Sequence, residues 1–198
     1  MKKLMMIAAM MLMSVGAFAQ EAGEMYIKPM VGGTMATITN RDGSKFKLGL
    51  VGGAEFGYNI SDAFAVTAGA LFTMQGAKID DDESFKDRSA TTTYINVPIL
   101  ANYYIVPGLA IKAGVQPGFL ISAKEKGSEN INGTWIDFDV SGTDGYKKVD
   151  ISIPVGLSYE FSDFVIDARY NFGLTKIADL GDSKNSVIML TIGYKIPL

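Results

Sequence analysis

The stretch FKLGLVGGAEFGY, residues 46–58, contains the pattern on which the fold prediction depends. Every second position is apolar or small, whereas the positions between them hold Lys47, Val51, Glu55 and three glycines. Alternation with a period of two sorts side chains onto the two faces of a β-strand and does not fit a helix. The stretch therefore predicts a strand with one oily face and one face of glycine and charge.

Similar alternation recurs in seven further segments of the chain. They cover residues 25–38, 64–75, 94–105, 109–123, 149–160, 164–175 and 188–196. Strands of this length are long for a globular protein. They suit a tilted strand that crosses a bilayer, which needs about 9 to 11 residues.

The connections between these segments alternate in length. Short turns are predicted at residues 59–62, 106–108 and 161–163, and long polar connections at residues 39–45, 76–93, 124–148 and 176–185. Short turns on one rim and long loops on the other are typical of an outer-membrane barrel. Aromatic residues also gather towards both predicted rims, where rings would meet lipid headgroups. Those near the short turns are Tyr58, Phe64, Tyr103, Tyr159, Phe161, Phe164 and Tyr194, and those near the loops are Phe46, Phe72, Tyr94, Tyr146 and Phe172.

The first residues have the features of an export signal. Met1, Lys2 and Lys3 precede an apolar segment at residues 4–15, and Ala17-Phe18-Ala19 follows it. A basic start, a short apolar run and an A-x-A site predict cleavage after Ala19. The apolar run is too short to be a membrane helix, which needs about 20 residues. We therefore expect a signal peptide at residues 1–19 and one barrel domain at residues 20–198.

A soluble barrel of the lipocalin type is the main alternative, because its strands also alternate. In such a barrel the apolar face would enclose a cavity and the charges would face water. The export signal, the strand length, the unequal loops and the aromatic rims favour the membrane barrel instead. The sequence thus predicts an all-β, eight-stranded, antiparallel, up-and-down transmembrane β-barrel, with ten strands as the alternative if residues 124–148 join the sheet.

Four segments resemble the PorT-type outer-membrane β-barrel family. They are YINVPILANYY at residues 94–104, AGVQPGFLISAKEKG at 113–127, DISIPVGLSYEF at 150–161 and DARYNFGLTKI at 167–177. The resemblance extends over essentially the whole predicted barrel. It implies an eight-stranded barrel, and a role near a protein-secretion system because the namesake is associated with one. One departure is the C-terminus, which ends in Leu198 where many outer-membrane barrels end in an aromatic residue.

Composition excludes several classes of function. The chain contains no His and no Cys, which removes Ser/His/Asp and Cys/His nucleophiles and zinc sites that require His. Without the predicted signal, 16 basic and 21 acidic residues remain, and no basic stripe suggests a nucleic-acid partner. We therefore predict no enzyme activity, no cofactor, no metal and no nucleic-acid binding.

The charged residues on the inward face are the first candidate site. They are Lys28, Lys47, Glu55, Lys112, Asp150, Glu160, Asp167 and Arg169. The interior of an eight-stranded barrel is just wide enough to be filled by side chains, so ions placed there must pair with one another. We interpret them as a packed charge network in which Glu55 or Glu160 pairs with Arg169 or Lys112. An ion or proton path through them is the alternative.

The long loops carry two further candidates. The acidic run from Asp80 to Glu83 is a candidate cation site, although a solvated loop is the simpler interpretation. Asn132-Gly133 predicts a hairpin turn, so the 124–148 connection is expected to project as a two-stranded arm. Trp135 on that arm is a candidate contact for a partner, and local packing is its alternative.

The predicted function is that of a non-catalytic barrel in the bacterial outer membrane. Its role would be structural, scaffolding or partner-binding, in protein secretion if the PorT resemblance extends to function. Its partners would be outer-membrane lipid and envelope or secretion-system proteins. A small-solute pore and a soluble lipocalin-like carrier are the alternatives.

Overall fold

The described residues of a computed structural model, 21–40, 43–179 and 181–198, form one antiparallel β-sheet. Its strands are β1 (Met25–Thr39), β2 (Ser44–Lys45), β3 (Lys47–Ser61), β4 (Phe64–Ile79), β5 (Phe85–Asn96), β6 (Ile99–Val106), β7 (Leu109–Ile131), β8 (Thr134–Ser141), β9 (Val149–Phe161), β10 (Phe164–Gly173), β11 (Lys184–Tyr194) and β12 (Ile196–Pro197). The predicted signal peptide, residues 1–19, lies outside the described residues. Within the described ranges, no helix is long and apolar enough to cross a membrane.

The sheet closes on itself as an eight-membered ring. Its order is β11, β10, β9, β7, β5, β4, β3 and β1, and the pairing of β1 with β11 closes it. β6 continues β5 after a break at Val97-Pro98, where proline lacks the N–H that a ladder needs, and both segments pair with β4 and β7. The prediction of an eight-stranded antiparallel barrel is confirmed. The ten-strand alternative fails, because among the described strands β8 pairs only with β7.

The two faces of the sheet differ as the alternation predicts. Large apolar side chains point outward, so that Leu48 is 77% exposed and Leu190 58% exposed. Charged side chains point inward, so that Glu55 is 0% exposed and Arg169 2% exposed. A soluble barrel would have the opposite arrangement. Outward apolar residues suit a lipid environment, and ring closure satisfies the backbone polar groups that lipid cannot.

Several strands run further than the sequence pattern indicates. The sequence predicts a long connection at residues 76–93. In the structure β4 continues to Ile79 and β5 begins at Phe85. β7 continues to Ile131 and turns back as β8, which is the predicted arm. These extensions lie beyond the apolar band, where polar side chains hide the strand pattern. β10, by contrast, ends at Gly173, two residues before the predicted end of that strand.

The part of β4 nearest the long loops, residues 74–79, bends inward over β1 and β3. We term it upper β4. The β3–β4 ladder reaches only Val51 and Thr73, and beyond it β4 pairs with β2. Thr34 Oγ1, on the inner face of β1, donates to Met74 O at 2.5 Å. A Cβ added at Gly49 would lie 2.3 Å from the same oxygen, so this close approach requires glycine.

Two of the three buried apolar clusters of the described residues lie in the middle and at the loop end of the interior. Met30, Val51, Leu71 and Met189 form a buried cluster about midway along the barrel. Nearer the long loops, Ile38, Ala77 and Ile177 form a second cluster. Ile177 belongs to the connection between β10 and β11, so a loop residue closes the mouth of the ring. The interior is therefore packed rather than open, as expected for a ring of this size.

We expect Gly57→Val to lower the unfolding temperature in detergent and Gly52→Val to leave it nearly unchanged. A Cβ at Gly57 would lie 2.1 Å from Tyr26 Cζ, so the buried ring would have to move. At Gly52 the nearest atom, Met30 O, is 3.8 Å away. Overpacking costs about 1–3 kcal/mol. The temperature at which electrophoretic mobility in SDS changes gives the measurement, and equal effects of the two variants would contradict this packing.

Candidate functional site

Five charged side chains meet inside the barrel and form what we term the central ion cluster. Its members are Lys28 on β1, Glu55 on β3, Lys112 on β7, and Asp167 and Arg169 on β10. Each occupies an inward position of its strand because side chains alternate between the faces. All five are buried. The cluster thus joins strands from several positions around the ring through side chains alone.

Arg169 is the centre of this cluster. It donates from Nη1 to Glu55 Oε1 at 2.5 Å and from Nε to Asp167 Oδ1 at 2.6 Å. A third bond runs from Nη2 to Asp167 Oδ2 at 2.9 Å. Guanidinium suits this role because its planar set of donors can bind two carboxylates together. Arg169 therefore ties β10 to β3 across β11 and β1.

Two lysines complete the neutralisation of the carboxylates. Lys28 Nζ lies 2.9 Å from Glu55 Oε2, and Lys112 Nζ bonds to Asp167 Oδ2. Each carboxylate therefore has at least two cationic neighbours. Removing one member of a buried pair costs about 3–5 kcal/mol, because a charge is left uncompensated.

The other three inward charges of the sequence prediction lie elsewhere, so the eight residues do not form one network. Glu160 accepts a bond from Tyr104 Oη at 2.6 Å and lies 3.5 Å from Lys195 Nζ. Asp150 and Lys47 lie nearer the long loops. The carboxylate of Asp150 accepts bonds from Thr175 Oγ1 at 2.6 Å and Asn185 Nδ2 at 2.8 Å. Lys47 bonds to the hydroxyl groups of Ser89 and Thr91 on the outer face of β5, so the prediction that it belongs to the interior network is wrong.

The short-turn end of the interior contains a second polar group that the sequence prediction did not identify. Lys195 Nζ lies 4.3 Å from the centre of the Tyr26 ring and 3.7 Å from Glu24 Oε2. The ring of Tyr26 covers Gly57 on the adjacent strand. Lys195 occupies the polar side of the last alternating segment, so its inward orientation was visible in the sequence. Its contact with Tyr26 depends on ring closure and was not.

Trp135 lies on the arm and contacts a lysine. Lys86 Nζ is 4.2 Å from the centre of its ring, and the side chain is 37% exposed. The register pairs Trp135 with Asn130 on β7. The cation–π contact accounts for part of its burial, and the exposed part of the side chain is accessible to solvent.

Ion pairs also connect the long loops. Lys45 donates to Asp80, and this hydrogen bond, with the attraction of the nearby carboxylate, raises the pKa of Lys45. Lys176 donates to Asp182 and thereby lowers the pKa of that carboxyl group. Such exposed pairs contribute little to stability. The first pair links the β1–β3 connection to the end of β4, and the second lies within the connection between β10 and β11.

Two carboxylates of the acidic run, those of Asp81 and Asp82, accept hydrogen bonds from backbone groups of their own turn. Asp82 Oδ1 accepts bonds from the backbone N–H groups of Ser84 at 2.8 Å and Phe85 at 2.7 Å. Asp81 Oδ1 accepts one from Asp87 at 2.8 Å. In the part of the chain that the structure describes, no group of three or more His, Cys, Asp or Glu side chains is placed to hold a metal ion.

Comparison with known proteins gives one family and several related folds. The family model described as outer membrane protein beta-barrel domain matches residues 18–179. The attachment invasion locus protein Ail of Yersinia pestis has a similar structure, with 19% identity and a TM-score of 0.50, over 88% of this chain and 99% of Ail. A structure of Ail in complex with the heparin analogue sucrose octasulfate matches equally.

Neisserial surface protein A is 13% identical over 87% of this chain and 97% of its own, with a TM-score of 0.48. No curated protein sequence matches the chain. The likeness to Ail, at this identity, shows a shared β-barrel fold.

We expect Arg169→Met to lower the unfolding temperature of the barrel in detergent, by an amount equivalent to about 1.5–3 kcal/mol, the range for hydrogen bonds to charged groups. The variant keeps two cations for two carboxylates in the cluster, so the loss would come from the hydrogen bonds of Arg169. The control is Lys176→Met, which breaks an exposed pair and should leave the unfolding temperature nearly unchanged. An Arg169→Met barrel as heat-resistant as the control would contradict the structural role of the cluster.

Proposed function

The chain belongs to the outer membrane protein beta-barrel domain family, and from this premise we propose that it is a closed, non-catalytic barrel that binds envelope partners through an extracellular arm. We term residues 124–141 the β-arm, which consists of the upper part of β7 together with β8. The observation that carries the proposal is the open edge of β8, held above a barrel whose interior is filled.

The filled interior supports the absence of transport. The central ion cluster occupies one level of the barrel, and the Met30, Val51, Leu71 and Met189 cluster occupies the next. A pore for solutes needs a continuous path of water, and an eight-stranded ring leaves room only for side chains. Paired ions packed next to apolar side chains indicate that the interior is closed to solutes.

The composition and the engagement of the acids support the absence of catalysis. The chain has no His and no Cys, which are the most frequent general bases and nucleophiles of enzymes. Glu55 and Asp167 are bound to cations in the interior, where a substrate would have no access. Such carboxylates neutralise their neighbours instead of moving protons to a substrate.

The β-arm supports a role in binding. β8 pairs with β7 along one edge, and no other described strand pairs with it. Asn132 and Gly133, with φ of 52° and 86°, form a two-residue turn of type I′. In such a hairpin the ladder bonds begin at the residues next to the turn and recur at every second pair. The backbone groups of Trp135, Asp137 and Asp139 then face the open edge, where a partner strand would add.

The PorT resemblance supports a secretion apparatus as the setting. The segments that carry it include residues 113–127, which reach into the β-arm, and residues 150–161 on the neighbouring strand. An envelope protein that presents an extended segment would be a suitable partner for the edge of β8. This assignment rests on the resemblance and on the exposed edge together.

We expect the purified chain to give no steady ionic conductance in a planar lipid bilayer. The double variant Met30→Gly/Arg169→Gly removes side chains from two interior levels but leaves the Ile38, Ala77 and Ile177 cluster at the mouth, so it should remain closed as well. A wide porin inserted from the same detergent serves as the positive control for the preparation. Steady conductance by the unaltered chain would favour the pore alternative and contradict the closed barrel.

We expect Asp137→Pro to abolish capture of an envelope partner and Asp137→Ala to preserve it. Proline removes a backbone N–H from the open edge, whereas alanine keeps that group and loses the same side chain. Cells that express each variant with a photoreactive residue at Thr134 would be irradiated, and cross-linked products compared. Equal cross-linking in the two variants, or no product from either the variants or the parent chain, would contradict strand addition at β8.

A further inference from the structure

Lysine side chains lie together on the outer face of the sheet just beyond the apolar band. Lys78 on β4 is opposite Ser89 on β5, which is opposite Lys126 on β7. One row closer to the membrane, Thr91 on β5 is opposite Lys124 on β7. Residues directly opposite in antiparallel strands share a face. The register alone therefore places three lysines on one surface.

Lys47 joins this surface from β3. Its Nζ donates to Ser89 Oγ at 3.3 Å and to Thr91 Oγ1, although β4 lies between β3 and β5 in the ring. The inward bend of upper β4 brings the outer face of that strand beneath Lys47. Gly76, opposite Thr91, has no side chain to obstruct the crossing. Burial, together with the nearby charges of Lys78 and Lys126, lowers the pKa of Lys47. We term Lys47, Lys78, Lys124 and Lys126 the basic patch.

The patch lies at the height of lipid headgroups. Phe72, Ile95 and Phe119 form an outward row of the apolar band on the same three strands. Thr91 lies four residues beyond Ile95 along β5, which is about 13 Å along the strand. With the tilt of barrel strands this becomes about 10 Å of height. Lysine side chains also extend towards an interface from positions above it.

The patch has a surplus of positive charge. In the described ranges, Lys47, Lys78 and Lys124 form no salt bridge, and only Lys126 is paired, with Asp139 at 2.8 Å. The hydroxyl groups of Ser89 and Thr91 lie among the ammonium groups and can donate as well as accept hydrogen bonds. Four cations, two hydroxyl groups and one acid form a surface that complements a phosphate group.

We propose that the basic patch binds the phosphate groups of an outer-leaflet lipid, whose acyl chains lie against the apolar row below. The lipid is favoured over a soluble phosphate compound because the cations and the lipid-facing row are continuous on the same strands. A lipid bound there would contact the outer face of β4, β5 and β7, next to the first residues of the β-arm. The inference rests on the outer-membrane location of the barrel and is independent of any partner at β8.

The test measures binding of lipid A to the full chain in detergent micelles by native mass spectrometry. The patch variant is Lys78→Gln/Lys124→Gln, and the matched control is Lys147→Gln/Lys176→Gln, which removes two exposed lysines paired with Asp179 and Asp182. Each lysine near a charged lipid surface contributes about 1 kcal/mol. We expect lipid A with two phosphates to bind the patch variant about tenfold or more weakly, and to bind the control within about twofold of the parent chain.

Three further measurements separate binding of the lipid phosphates from other causes. Lipid A without phosphates should lose the same binding to the parent chain, and inositol hexakisphosphate, a soluble polyphosphate, should bind more weakly than the lipid. The variant Lys78→Arg/Lys124→Arg should retain binding, which separates loss of charge from loss of fold. Equal weakening in the control variant, binding that ignores the phosphates, or tighter binding of the soluble compound would each overturn the proposal.

Discussion

The ionic bonds of Arg169 to Glu55 and Asp167 are the interaction on which the barrel interior depends. Lipid on the outside requires apolar residues there, so the charged residues of the alternating strands have no place except the interior. Charges in that interior are stable only when they are paired and hydrogen-bonded. The cluster meets this condition with side chains from four strands. The charges that must be buried therefore bind to one another and cross-link distant parts of the ring.

Because the interior is filled, other molecules can bind only to the outside of the barrel, mainly at the rim of the long loops. With the lumen filled by ions and apolar side chains, the surfaces available to other molecules are the outer wall, the loops and the β-arm. The wall contacts lipid through its apolar face, and the basic patch extends that contact to headgroups. The β-arm shares one strand, β7, with the patch, through Lys124 and Lys126, and extends beyond it. Lipid and protein binding would thus share one scaffold without sharing residues of the core.

The inward bend of β4 links these features. It depends on Gly49, over which the backbone of Met74 passes, and on the hydrogen bond from Thr34. The bend narrows the mouth of the barrel and brings Ala77 against Ile38 and Ile177. It also lets Lys47 cross to β5, which turns an expected interior residue into part of the outer surface. One local distortion therefore helps to close the lumen and to build the patch.

The sequence by itself determined the class of fold, because period-two alternation along residues such as 46–58 fixes which side chains share a face. The export signal, the strand length, the unequal loops and the aromatic rims then favour the membrane barrel. The sequence also determined the turn at Asn132-Gly133. Only the tertiary structure decided which charges meet: Arg169 with Glu55, but Glu160 with Tyr104 and Lys195. Alternation specifies the face of each side chain and leaves its level along the barrel open. That level follows from strand stagger and bends such as the one at Gly49, which arise only when the ring closes.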